Sequence, residues 1–125
     1  MASRRLLLID DEDDIREVAA LSLEAVAGWT VLLASSGEEG LEIAANEKPD
    51  AILLDVMMPE MDGPGIFKLL QESETTRAIP VIFLTAKAQS VEQRLLLELG
   101  VAGVIAKPFD PLTLAQEIAK ILQWK

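Results

Sequence analysis

The sequence predicts a doubly wound α/β fold: five parallel strands in one sheet, with helices on both faces. Three observations carry that expectation. Apolar runs of strand length alternate five times with segments of helical period. The strand runs are apolar at nearly every position, as strands covered on both sides must be. Capping and breaking residues fall at the joints between them, and five successive βα units require a parallel sheet.

The first strand is expected over Arg5–Ile9, followed by acids that lead into a helix over Asp14–Ala27. Asp13 and Asp14 open that helix and read as N-cap residues, and Gly28 stops it. The second strand, Thr30–Ala34, precedes a helix over Glu38–Glu47, where Ser36 and Glu39 have capping-box spacing. The third strand, Ala51–Leu54, runs into Asp55. Asp62 then stands before Gly63-Pro64, a capping acid beside a proline tolerated in a first turn, so the third helix is set at Pro64–Glu72. ESETTRA (72–78) reads as a polar loop. The fourth strand is Pro80–Leu84. Its helix is Val91–Leu99, with Ser90 and Gln93 as a second capping box and Gly100 at the end. Gly103–Ala106 is the fifth strand, and Asp110-Pro111 opens the last helix, Pro111–Gln123. In the fourth helix Val91, Leu95, Leu96 and Leu99 share one face and are assigned to the core, while Leu97 points away. Met57, Met58 and Met61 read as local packing.

With 125 residues the chain is expected to be one domain, 1–125, large enough to fold without a disulfide or metal staple. It has no cysteine and no histidine. Disulfides, thiolate metal sites, Ser-His and Cys-His nucleophiles and most zinc sites are thereby excluded. The net charge is −10, from 21 acidic and 11 basic residues, and Arg4-Arg5 is the only adjacent basic pair. Direct nucleic-acid binding is not expected of such a surface. No apolar run approaches the ~20 residues of a membrane span, and no signal-peptide pattern opens the chain, so a cytoplasmic location is expected.

Two apolar strands end in acids: Asp10 and Asp11 after the first, Asp55 after the third. In open parallel sheets ligands bind beyond the carboxyl ends of the strands. If the two strands are neighbours, three carboxylates converge. Each pair at ~4 Å repels by about 4 kcal/mol at an effective dielectric of ~20. Three pairs would then cost on the order of 10 kcal/mol, comparable with the whole stability of a small domain. Protonation, separation or a bound cation must relieve this. Oxygen-only donors favour a hard ion, Mg²⁺ before zinc. Capping accounts for Asp13 and Asp14 but not for acids at the ends of two buried strands, and Glu12 fits either role. The fourth strand ends in Thr85 and the fifth leads into Lys107. A carboxylate nucleophile, a metal, a hydroxyl and an ammonium at one sheet edge form a phosphoryl-transfer set.

Four segments, IDDE (9–12), LLDVMMPEMDG (53–63), PVIFLTA (80–86) and KPFD (107–110), closely resemble the receiver domain of bacterial two-component response regulators, in order and at family spacing. The resemblance implies a flavodoxin-like fold with sheet order 2-1-3-4-5 and a signalling module rather than an enzyme. A sensor histidine kinase or a histidine phosphotransfer protein would phosphorylate Asp55. Asp10, Asp11, Asp55 and the Met57 backbone carbonyl would hold Mg²⁺, Thr85 would be the switch hydroxyl, Lys107 would pair with the phosphate, and Lys107–Pro108 would be cis. Three positions bear on the switch and its lifetime. Val104 stands where the family often has an aromatic switch residue. Met57 and Lys87 occupy positions that tune dephosphorylation, and an apolar residue at 57 implies slow loss of phosphate. The family's output face makes Leu97 part of a docking surface, with an output partner or self-association through 91–99 and 103–106. The chain ends just after the fifth predicted helix, which fits a stand-alone regulator or a receiver cut from a longer chain. A haloacid-dehalogenase-type phosphohydrolase is disfavoured: that family carries a second aspartate two residues after its nucleophile, where this chain has Met57. The complete acid, threonine and lysine set argues against a phosphate-independent docking module.

Overall fold

A computed structural model describes residues 4–86 and 90–124, with the side chain of Ser90 also outside the description. The elements are β1 Arg5–Ile9, α1 Asp13–Ala27, β2 Thr30–Ala34, α2 Gly37–Glu47, β3 Ala51–Asp55, α3 Gly63–Glu72, β4 Val81–Thr85, α4 Ser90–Leu97, β5 Gly103–Ala106 and α5 Leu114–Leu122. All strand pairs are parallel, in the order β2-β1-β3-β4-β5, so β1 and β3 are the neighbours that the acid cluster requires.

Strand alternation splits the core into two layers. Leu6, Leu8, Leu53, Ile82 and Leu84 face α1 and α5, against Ala19, Leu23, Leu114 and Ile118. Leu7, Ile9, Ile52, Leu54 and Phe83 face the other side, against Ala44, Ile66, Phe67 and Leu70. Each fully buried Leu, Ile or Phe contributes about 1.5–3 kcal/mol, so both layers hold the strand ends in place. At the amino edge of the sheet, Trp29 and Trp124 meet edge to face at 5.3 Å, and the Arg4 guanidinium lies 4.4 Å from the centre of the Trp124 ring.

Several joints follow the sequence. The Ser36 hydroxyl accepts the Glu39 N–H at 3.2 Å and Asp62 accepts the Gly65 N–H at 2.9 Å. Gly28, at φ +70°, ends α1 and donates to the Glu24 carbonyl. The loop after α3 is pinned by buried Thr76, whose hydroxyl donates to the Leu70 carbonyl at 2.7 Å.

Others differ. Glu12, not Asp13 or Asp14, occupies the N-cap position of α1, and its side chain makes no cap bond. Asp13 instead pairs with Arg16, one turn on. The Glu39 carboxylate reaches Ser35 N–H at 2.6 Å rather than that of Ser36. Helix α5 starts at Leu114, three residues beyond Pro111, because the Asp110 carboxylate accepts the Leu112 N–H at 2.9 Å and closes a turn first. Helix α4 ends at Leu97 and tightens into i→i+3 bonds that reach Gly100. The expected cap of Ser90 by Gln93 lies outside the described residues.

The core assignment in α4 is corrected. Only Leu96 packs on the sheet, flanked by half-buried Glu92 and Gln93. Val91, Leu95 and Leu99 are 62%, 59% and 49% exposed. With about 100° between successive residues, the inward direction centred on Leu96 leaves Leu95 and Val91 more than a quarter turn away. Leu99 escapes because the helix has already ended.

The β3–α3 connection is held by a close backbone approach. Gly63 N–H donates to the Val56 carbonyl at 2.9 Å. A Cβ at 63 would lie 2.8 Å from both the Asp55 carbonyl oxygen and the Val56 Cα. Backbone atoms cannot rotate away as a side chain can. Gly63→Ala is therefore expected to lower unfolding free energy by about 1–3 kcal/mol, measured by urea denaturation; wild-type stability in the variant would contradict it.

Candidate functional site

The site grows from the carboxyl ends of adjacent β1 and β3. Asp10 N–H donates to the Ala34 carbonyl at 3.1 Å, which carries the β1–β2 ladder one residue past the strand. That holds Asp10 wholly buried, and its Oδ1 accepts the Glu12 N–H at 2.9 Å. Asp55 ends β3, 3% exposed, and its Oδ1 accepts the Met57 N–H at 3.3 Å. Asp11 faces solvent. One carboxylate oxygen from each of Asp10, Asp11 and Asp55 falls within a set whose members all lie within 4.8 Å of one another.

Lys107 follows β5 and reaches back over the cluster. Its Nζ stands 2.7 Å from Asp10 Oδ2, 3.3 Å from Asp55 Oδ1 and 3.4 Å from Glu12 Oε1. Its backbone N–H donates to the Thr85 carbonyl at 2.7 Å, tying the β5 end to the β4 end, and the Lys107–Pro108 bond is cis. Thr85 is buried at the end of β4. Met57 is 63% exposed, and Val104 is half-buried in the layer containing Phe83 and Phe67. Lys87 lies outside the described residues. Glu12 serves the cluster as an outer partner of Lys107.

Residues 6–119 match the family described as the response regulator receiver domain. The chain belongs to this family. Among its relatives, the alkaline phosphatase synthesis transcriptional regulatory protein PhoP of Bacillus subtilis is 38% identical over 121 residues, covering 97% of this chain and 49% of PhoP. The chain thus spans about half the length of the curated relatives it matches. Among solved structures, the chemotaxis protein CheY4 of Vibrio cholerae aligns with a TM-score of 0.87 at 29% identity, over 96% of this chain and 99% of that one. The N-terminal domain of a response regulator receiver protein from Methanoculleus marisnigri aligns with a TM-score of 0.79 at 33% identity, over 99% and 100%. No helix among the described residues of this receiver is long and apolar enough to cross a membrane.

The receiver relieves the repulsion among its acids in three ways. Asp11 turns to water. Lys107 supplies an ammonium. Burial, then the Asp10 carboxylate, pushes Asp55 up to about 6 from the usual 3.8, against the opposing pull of Lys107. Burial works against the Lys107 charge, but Asp10 and Asp55 outweigh it and hold the ammonium above its ordinary 10.5. One ammonium against three carboxylates leaves an excess of two negative charges when all are ionised. Asp10 Oδ2 has no aligned hydrogen bond among the described residues, only the ion pair with Lys107. An oxygen-only set with that excess suits a hard divalent cation.

Arg16 was not legible as a site residue. Half-buried on α1, it donates from one guanidinium nitrogen to the Asp10 carbonyl at 2.7 Å and pairs through the other with Asp13. Its three-residue spacing from Asp13 was the available signal. The bond to Asp10 depends on how the helix leaves the strand.

Asp55 holds its proton more tightly folded than unfolded, so ionising it costs stability. The deficit is absent below pH 3.8, grows as pH rises, and is complete above about 6. In metal-free buffer, Asp55→Asn is expected to exceed wild type in unfolding free energy by on the order of 2–3 kcal/mol at pH 8, a gain that vanishes near pH 4. Urea denaturation at the two pH values with a chelator present checks this; equal stability at pH 8 would refute it.

Proposed function

We propose that the chain acts as a single receiver domain that accepts a phosphoryl group on Asp55 from the phosphohistidine of a sensor histidine kinase or phosphotransfer protein. The observation that carries this reading is the placement of Asp55: buried at a strand end, beside two acids and 3.3 Å from the Lys107 ammonium. At neutral pH a carboxyl group titrating at about 6 is mostly ionised and nucleophilic. One of its oxygens attacks phosphorus, the P–O bond forms, and the P–N bond to the donor imidazole breaks. The imidazole leaves with the electron pair and then takes a proton.

Asp11, Asp55 and the Met57 carbonyl would hold Mg²⁺, with Asp10 supporting it directly or through water. When bound, the ion supplies positive charge toward the oxygens of the transferring group. Lys107 balances Asp10 before phosphorylation, and an acyl phosphate at Asp55 carries about two negative charges that draw the ammonium toward it. The Thr85 hydroxyl donates to one phosphate oxygen. Val104 is too small for an aromatic-type swing, so the change travels as displacement of the β4–α4 connection and α4. Output then runs through a partner or self-association at 91–99 and 103–106. The exposed Met57 thioether cannot orient an attacking water, so the phosphoryl group is lost slowly. The chain serves as a signalling module in the cytoplasm and not as an enzyme on a separate substrate.

Incubation with acetyl phosphate and Mg²⁺ is expected to add one acid-labile phosphoryl group, seen by mass spectrometry and missing in Asp55→Asn. A label on serine or threonine would refute the mechanism. Mg²⁺ titration followed by amide shifts should weaken by at least about tenfold in Asp11→Ala; unchanged affinity would remove Asp11 from the ligand set.

A further inference from the structure

Two of the exposed leucines, Leu95 on α4 and Leu99 just past its end, line one groove. That groove, of about 670 Å³, is lined by Leu95, Leu96 and Leu99 together with Val56, Met57 and Thr85. A second hollow of about 390 Å³ is lined by Pro64, Phe67 and Gln71 of α3 and by Leu99, which also lines the first. The two hollows share Leu99, and the first is lined also by Val56 and Met57, which follow Asp55 in the chain. The charged lining residues are Glu92 and Glu98 in the first and Lys68 and Glu72 in the second, an excess of two negative charges over both.

We infer that this groove receives a cationic amphipathic segment of a partner protein, with apolar anchors on the leucine lining and Lys or Arg side chains at the acidic rim. Charge complementarity selects that occupant. A second copy of this chain would bring a net charge of −10 and the same acidic rim against its own kind. A basic segment gains at both. An amphipathic helix lays apolar anchors at helical spacing into a hydrophobic groove of this kind. The site also deepens the proposed function and rests on it in one respect. An acyl phosphate at Asp55 replaces one negative charge with about two behind Met57 and Thr85, so phosphorylation should tighten the grip on a cation.

A fluorescein-labelled helical peptide of about 14 residues, built from leucine and lysine, tests this by anisotropy on the full chain, beside a leucine–glutamate counterpart. The lysine peptide should bind at least about tenfold more tightly than the glutamate peptide. Leu95→Ser with Leu99→Ser, both at exposed positions, should weaken it by at least about tenfold. Unchanged far-ultraviolet circular dichroism of the double variant separates loss of the groove lining from loss of the helix. Binding indifferent to the double substitution would overturn the inference, as would self-association through this face without peptide binding. Mass spectrometry on the same acetyl phosphate-treated sample keeps the two readings apart. Protein phosphorylated on Asp55 that ignores the peptide sinks the groove and leaves the receiver reading standing. Protein that takes no phosphoryl group yet binds through Leu95 and Leu99 supports the groove and sinks the phosphoacceptor assignment.

Discussion

One ammonium holds together charges that would otherwise push the sheet edge apart. Lys107 lies within 3.3 Å of carboxylate oxygens from two different strand ends, Asp10 after β1 and Asp55 at the end of β3. Its backbone N–H is bonded to the end of β4. Four of the five strands therefore meet, through one residue, at the place where the chemistry is set. The arrangement is only partly satisfied. Two negative charges remain in excess, and Asp55 answers by holding its proton up to about pH 6. A site left short of positive charge suits a cation.

The rest of the fold keeps that edge rigid. Two apolar layers clamp β1, β3 and β4, whose core residues are almost wholly buried. Gly63 lets α3 approach the Asp55 carbonyl so closely that no side chain fits, and Asp62 caps the helix at the same joint. Arg16 anchors the Asp10 carbonyl from α1. The acids are thus fixed by backbone contacts on three sides.

Helix α4 is built differently. It packs Leu96 against the core and leaves Val91, Leu95 and Leu97 exposed, with Leu99 exposed just past its end. A helix anchored by one half-buried leucine is cheap to displace compared with one holding a full apolar stripe. It borders the same groove as Met57 and Thr85, so a change at the Asp55 edge reaches it over a short path. Rigidity at the acids and looseness one helix away fit a module whose chemistry and output occupy adjacent surfaces.

What the sequence determined by itself is local and periodic. Apolar runs marked all five strands within a residue or so, Ser36, Asp62 and Gly28 marked their helix ends, and the four motifs named Asp10, Asp11, Asp55, Thr85 and Lys107. These signals sit in short stretches, because caps and strand alternation act over two to four residues. Only the tertiary structure decided matters that depend on how elements lie on one another. It moved the N-cap of α1 to Glu12, gave Arg16 its bond to Asp10, and delayed α5 to Leu114. It also turned α4 so that Leu96 alone faces inward. A helical wheel says which leucines share a face but not which face meets the sheet. That choice is made by packing against β5 and the neighbouring layer, and no periodicity within the helix encodes it.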